Sequence, residues 1–360
     1  MKSTVITLLF SLFICTSNAQ IVGLSNEQIA VLKRKIKDDP EAKSLYTNFK
    51  AAAEDFLAQT PNPVDTIRTE GLLRGNPKKE RTAVALRDMN KMYTLALQYK
   101  ITGEEKYLKK ADEFLLAWAN KNQPNGDPID DTNLDKAIEA YDLIKDDVNP
   151  KDKTLIADWL KATALAEINS KRMNRNQGTG INNWNAHRLK VVGEIGYALN
   201  NQEFISWTID RLKKHIEINL NEDGTSHDFK ERDAMHYHIY DLEPMLRLAL
   251  LIRSAGGGNF YTYESPKGSS IKKSVDWLIP YIKGEKQHEE YVNTTVKFDR
   301  DRAKNNEPGF APGTMFKPSL ALPVLKLSVY FDPARANLLY TLNEKGKDWQ
   351  MLIDEIKQNK

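Results

Sequence analysis

RTAVALRDMNKMYTLALQYKITG (residues 81–103) and EEKYLKKADEFLLAWANK (residues 104–121) decide the fold class. In both, apolar residues recur at helical spacing instead of alternating, and Gly103 punctuates the junction. The spacing predicts two helices folded back on each other. The same pattern extends in both directions. Upstream, SNEQIAVLKRKIK opens at Ser25 with Gln28 in capping-box position, and a second helix is expected from about Glu41 to Ala58. Downstream come LDKAIEAYDLIKDD, KDKTLIADWLKATALAEINSKR after Pro150, NWNAHRLKVVGEIGYALNN, QEFISWTIDRLKKHIEINL, EPMLRLALLIRSAG and SIKKSVDWLIPYIKG, with two or three helices closing the chain. No strand series is evident. Residues 60–80 and 284–318 read as irregular because of their proline and glycine breakers. Hairpin after hairpin without a fixed-length repeat disfavours a regular solenoid. The expectation is all-α: an incomplete (α/α) toroid, or barrel, of about five to seven helical hairpins with a cleft.

Lys2, the apolar run Val5–Cys15 and the small-x-small ending Ser17-Asn18-Ala19 read as a cleavable signal peptide over residues 1–19. That implies a periplasmic or secreted protein, with residues 20–360 forming a single catalytic domain. Cys15 is the only cysteine, so the mature chain has neither disulfides nor thiolate chemistry, and its stability must come from a core. No later stretch is long and apolar enough to span a bilayer. The formal charge of +3 is dispersed, which argues against nucleic acid as a partner but allows a local basic cleft for an anionic ligand. A monomer is the simplest expectation.

Two polar knots interrupt the helices. NEDGTSHDFKERDAMHYHIYDLEPML (residues 221–246) carries His227, His236, His238, Tyr237, Tyr240 and Arg232; GTGINNWNAHRLK (residues 178–190) carries Asn182, Asn183, Trp184 and His187. Arg232, His236 and Tyr240 are spaced by four and would form one stripe on a continuous helix. Pro244 removes a bond to the Tyr240 carbonyl, so the helix could instead begin at Asp241, a good N-cap. Asn183 and His187 are likewise four apart, and Trp184 offers a face for a sugar ring. Amides, a guanidinium, imidazoles and a phenol without an obvious carboxylate pair suit proton abstraction beside a carboxylate. The amides and arginine stabilise the developing anion, while an imidazole or phenol moves the proton. Such chemistry needs no cofactor, because those groups do the work of a metal. His227, His236 and His238 match no familiar zinc spacing.

NNWNAHR followed about fifty residues later by DGTSHDFKERDAMHYHIYDL resembles the alginate lyase superfamily of helical-toroid polysaccharide lyases, and MYTLALQYKITGEEKYLKKADEFLLAWA and DDTNLDKAIEAYDLI are similar to its early hairpins. The resemblance spans roughly residues 82–256. It implies β-elimination on a β-1,4-linked uronate polymer: alginate or polymannuronate first, glucuronan next, as in polysaccharide lyase family thirty-eight. Carried over by position, Asn183 and Arg232 would neutralise the uronate carboxylate, and Tyr240 would donate the proton and could also act as the base. The family often has a histidine where this chain has Trp184, so His187, one turn on, is the expected substitute. Arg232 also stands one residue further from the tyrosine than in the family pattern. Asn182, Trp184, His236, His238 and Tyr237 are expected to bind substrate, and Arg74, Lys79 and Arg81, with Lys78, to hold further uronates.

Plainer readings compete at each position. The asparagines could be a helix cap, His187 a core histidine, and Arg232 a surface charge. Trp118, Trp159, Trp207 and Trp277 read as core, and His215 and His288 as surface residues. Two other functions are open: a glycoside hydrolase recruiting two of Asp130, Asp131, Asp223 and Asp228, and a non-catalytic oligosaccharide-binding protein.

Overall fold

The computed structural model describes residues 20–344 and 346–358, so the leader read at residues 1–19 lies outside the described residues. The capping box at Ser25 and Gln28 opens α1 (Asn26–Asp38), and Asp39 caps α2 (Pro40–Leu57). After the irregular segment, α3 (Pro77–Ala85) leads into the hairpin of α4 (Arg87–Thr102) and α5 (Glu105–Lys121), with Gly103 as its left-handed joint at φ 77°. A short α6 (Pro128–Asp131) precedes α7 (Asp135–Ile144), α8 (Pro150–Asn169), α9 (Asn183–Ala198) and α10 (Gln202–Asn219). Then come α11 (His227–Arg232), α12 (Met235–Ser254) and α13 (Ile271–Ile282). The chain closes through α14 (Lys297–Lys304), α15 (Leu322–Ser328), α16 (Ala336–Leu342) and α17 (Trp349–Gln358).

Helices α4, α7, α9 and α12 pack in succession, with α5, α8, α10 and α15 laid against them, which makes the (α/α) toroid. Helix α17 returns to α1, α2 and α12. The chain start is fastened to this seam as well: Asp142 accepts the backbone N–H groups of Ile21, Val22 and Gly23 at 3.1, 3.0 and 2.8 Å, and Lys357 donates to the Val22 carbonyl at 2.7 Å. Buried apolar side chains from Val22 to Ile356 form one continuous core. Helix α9 is buried round its whole circumference, every residue but Asn185 being buried, so its polar side chains face the protein interior and its cavities instead of bulk solvent. Gly193 lets it approach its neighbours: a Cβ there would lie 2.6 Å from a Leu248 methyl and 3.0 Å from that of Thr208.

The region 284–318 is less irregular than its sequence suggests. It holds a two-strand antiparallel ladder, β1 (Glu289–Glu290) with β2 (Thr314–Met315), and the helix α14. Helix α14 (KFDRDRAK) was not legible because it has almost no apolar periodicity; its contacts are polar. Helix α12 runs unbroken through Pro244, so the stripe reading of Arg232, His236 and Tyr240 is half right. His236 and Tyr240 share that helix, whereas Arg232 ends α11, and Asp233 turns the chain at φ 49° between them.

Gly224 sits in the turn before α11 at φ +88°, where a Cβ would fall 2.6 Å from the Trp277 Cβ and 2.7 Å from the Lys273 carbonyl oxygen. Both the dihedral and the close backbone forbid a side chain. Gly224→Ala is therefore expected to destabilise by about 2–4 kcal/mol, read as a lower denaturation midpoint. Unchanged stability would contradict this packing.

Candidate active site

The two polar knots meet where the N-termini of α9 and α12 converge. Asn183, Trp184, Arg232, His236, Tyr237 and Tyr240 line one cavity of about 140 Å3. A neighbouring cavity of about 300 Å3 is lined by Thr132, His187, Lys190, Tyr240 and Glu243, among others. Tyr240 is common to both, and no protein group bonds its hydroxyl among the described residues.

Each side chain is set by identifiable partners. Asn182 caps α9, its side-chain oxygen accepting from the Trp184 N–H at 3.1 Å. Asn183 donates both its backbone N–H (2.8 Å) and its side-chain amide to the buried Asp228, which Asn219 also bonds at 3.0 Å. Asp228 thereby fixes the amide of a residue that lines the cavity. Burial and the nearby Asp241 push the Asp228 carboxyl up to about 7, against the pull of these donors. Arg232 lies 3.7 Å from the Tyr237 ring centroid and donates to Asp299 of α14 at 2.6 Å. Arg302 of the same helix donates to the Tyr237 hydroxyl at 2.6 Å. The start of α12, which lacks a side-chain cap of its own, is closed by Glu290 from β1, accepting from the backbone of Met235 and His236 at 3.1 and 3.2 Å.

Two histidines flank Tyr240. His236 stacks near-parallel to it at 6.3 Å between centroids, and His187 tilts against it at 4.3 Å. Burial, then the charges of Arg302 and Arg232, lowers His236 to about 4; burial, then Lys190, lowers His187 to about 3. Both rings are neutral near pH 7. They differ in availability. The His187 Nδ1 is 2.9 Å from the Thr132 hydroxyl, and its buried Nε2 has no close hydrogen-bond partner among the described residues, the nearest help coming from the Tyr240 backbone. The ring nitrogens of His236 bond no protein group among the described residues, and the residue lines the same cavity as Asn183 and Arg232. Burial first, then Tyr237, Glu70 and Glu243, raises the Tyr240 phenol, so it rests protonated.

The structure corrects several expectations. His238 is fully buried, bonded at 3.0 Å to the Ser226 hydroxyl and at 3.1 Å to the Ser274 carbonyl, so it braces α12 and faces no cavity. Asn182 is spent as a cap. Lys79 turns back to the Leu72 carbonyl at 2.9 Å, and Arg74, Lys79 and Arg81 lie outside the lining of both cavities. His215 is buried, not a surface residue: its Nδ1 meets the Asn185 amide at 3.1 Å and its Nε2 lies 3.6 Å from Asp241. His288 is half-buried against the Asp233 carbonyl at 3.2 Å. Trp207 and Trp277 are partly exposed instead of being fully core, unlike Trp118 and Trp159. Trp184 is buried under the Arg172 guanidinium at 4.0 Å, with an edge on the cavity.

Sequence reasoning missed Glu70, Phe298, Arg302 and Phe310, which the two irregular segments bring to the cavity wall. Glu70 is placed by Asp130, whose Oδ1 accepts from the Thr69 N–H, the Thr69 hydroxyl and the Glu70 N–H at 2.7, 2.6 and 3.1 Å. That use removes Asp130 from catalysis. Asp131 is buried beside Glu167, Asp223 ties its own turn to Thr225, and Asp228 holds Asn183. Glu70 is thus the single acid on the smaller cavity. In the larger one Asp135 pairs with Lys190 at 2.7 Å and Glu243 with Arg247 at 3.0 Å. The free carboxylate pair that hydrolysis of a glycosidic bond requires is missing from this lining. Nor do His227, His236 and His238 converge: among the described residues no three metal-ligating side chains are grouped to hold an ion.

A phenol, a neutral imidazole, a fixed amide and two guanidinium groups thus stand around one cavity of the helical toroid. Residues 31–288 match the alginate lyase family, and the chain belongs to it. It is 23% identical over 264 residues to an exo-oligoalginate lyase of Saccharophagus degradans, covering 66% of this chain and 35% of that protein. The chain thus spans about a third of the length of that curated relative. Its fold is shared with an alginate lyase from Bacteroides ovatus (TM-score 0.69, 20% identity, 96% of this chain and 100% of the other). It is shared also with alginate lyase A1-III from Sphingomonas species A1 (TM-score 0.56, 21% identity, 74% and 80%).

Proposed function

We propose that the chain is an alginate lyase that breaks the uronate polymer by β-elimination, with no water consumed. The observation carrying this reading is the convergence of Asn183, Arg232, His236 and Tyr240 on one cavity. The uronate carboxylate sits against the Asn183 amide and the Arg232 and Arg302 guanidinium groups. As the C5 proton leaves, charge moves onto that carboxylate, where fixed donors stabilise it more strongly than they do the ground state. His236 takes the proton, since its nitrogens are free and neutral. A uronate bound beside it favours the protonated ring and so raises its basicity in the complex. Tyr240, kept protonated by burial, gives its proton to the glycosidic oxygen as the C4–O bond breaks. A double bond forms between C4 and C5 at the new non-reducing end.

His187 supports the Tyr240 ring in this scheme. His236→Ala is expected to lower kcat by about 10²–10⁴-fold, and His187→Ala by much less; the reverse order would move the base to His187. The proton balance also fixes a pH profile. A base lowered to about 4 is active when neutral, so kcat/KM should fall only as pH drops through about 4, not near the usual imidazole value of about 6.5. An acid limb close to 6.5 would contradict His236 as the base. Alginate is the expected polymer, and mass spectrometry of digests of polymannuronate, polyguluronate and glucuronan tests it: elimination products are lighter by one water than hydrolysis products. The leader read at residues 1–19 supports action outside the cytoplasm, where such polymers are met.

A further inference from the structure

Beside α9, away from the cleft, lies a second cavity of about 260 Å3 lined by Arg175, Arg188, Trp207, Arg211, Lys214 and His215, among others, and by no acidic residue. Its floor is the Arg188 guanidinium, 2% exposed, which donates to the carbonyls of Glu167 (2.8 Å), Ile168 (2.9 Å) and Met173 (3.3 Å) and to the Asn174 side-chain oxygen (2.8 Å). Every one of those acceptors is neutral, so a buried positive charge lacks a counter-ion in hydrogen-bond contact, an arrangement that attracts an anion. Burial and Asp131 raise the Glu167 carboxyl, and it attracts Arg188 through space without a hydrogen bond to the guanidinium among the described residues. Arg211 stands over the same indole as Arg188, at 5.7 and 5.0 Å from the Trp207 ring. Arg175, Arg211 and Lys214 are exposed on the rim, and none has a carboxylate partner among the described residues.

We infer that this cavity is an accessory binding site for a single uronate residue, the cations taking the carboxylate and the exposed part of Trp207, whose ring Arg188 and Arg211 already overlie, meeting the sugar ring. A bare inorganic anion would satisfy the cations and leave the indole unused. The volume falls below the roughly 300–1,000 Å3 of drug-sized sites, so it accommodates one ring of a chain end and not a run of residues. The site is separate from the cleft but not remote from it. Segment 170–181 borders both, contributing Arg175 here and, through Arg172, the cover of Trp184 in the cleft.

The test is a calorimetric titration of the full chain carrying Tyr240→Phe with saturated dimannuronate, repeated with Arg175→Ser, Arg211→Ser and Lys214→Ser added. All three positions are exposed, and circular dichroism checks that the fold is kept. The expected result is two binding events in the first protein. In the second, one of them is weakened roughly tenfold or more, since charge-assisted contacts are lost. Cellobiose, a neutral sugar, is expected not to fill the site, and inorganic sulfate at equal concentration not to displace the uronate. A single event in both proteins overturns the proposal. So does equal displacement by sulfate, which would make this an anion site without sugar recognition. Failure of the lyase reading is distinguishable: the unsubstituted chain would not degrade alginate, while both binding events persisted.

Discussion

Tyr240→Phe is expected to lower kcat on alginate by about 10²–10⁴-fold while the protein folds normally and still binds oligouronate. The hydroxyl bonds no protein group among the described residues, so deleting it breaks no hydrogen bond there. The ring keeps its contacts with His187 and His236, and the change is one of chemistry alone. A proton donor acts in the transition state, so the loss should fall on kcat and leave KM nearly unchanged. Wild-type turnover by the Tyr240→Phe variant would remove Tyr240 from the reaction. A matched rise in KM with kcat intact would make it a binding residue only.

Asn183→Ala carries the second large effect. Its amide is the one cavity donor held at both ends of its residue by a single buried carboxylate, Asp228. Removing a preorganised donor that meets developing charge costs on the order of 10²–10³-fold in kcat. This substitution also removes one of the bonds to Asp228, so some stability is lost, and melting must be measured beside turnover. The Asn219 amide and the Asn183 backbone N–H remain on Asp228, and burial already pushes its carboxyl up to about 7, so it can meet the loss by taking a proton. A kcat loss in protein that is still folded at the assay temperature is the expected outcome. Loss of stability with undiminished kcat would reduce Asn183 to a helix-cap neighbour.

How much of this was legible in the sequence follows from how each element is stabilised. Helices with a solvent side announced themselves: α5 and α10 have apolar stripes, and α1 carries its capping box in plain view. Helix α14 did not, because Asp299 and Arg302 fix it through Arg232 and Tyr237 instead of through an apolar face. The same long-range bonds concealed Arg302 as a cavity residue, since nothing local marks KFDRDRAK as functional. His215 reads as a surface residue when taken alone, yet Leu212, His215, Ile216 and Asn219 recur at helical spacing and all are buried. The period was the better guide. For the site, residue type and the family resemblance singled out Asn183, Arg232 and Tyr240, which line one cavity, whereas spacing alone misplaced Arg232 on the helix of Tyr240. Spacing could not separate His236 from His238, which are two apart on one helix, one opening on the cavity and one locked between serines. Glu70 was out of reach altogether, being placed by Asp130 from sixty residues away.

Elimination at the cavity around Tyr240 is tested most directly by the ultraviolet absorbance of the unsaturated uronate product. The purified chain would be mixed with polymannuronate, polyguluronate and glucuronan, each with and without chelator, and beside the Tyr240→Phe variant. The expected result is a rise on an alginate polymer that chelator leaves unchanged and the variant nearly abolishes. New reducing ends without absorbance, or an equal rise from the variant, would contradict elimination at this site.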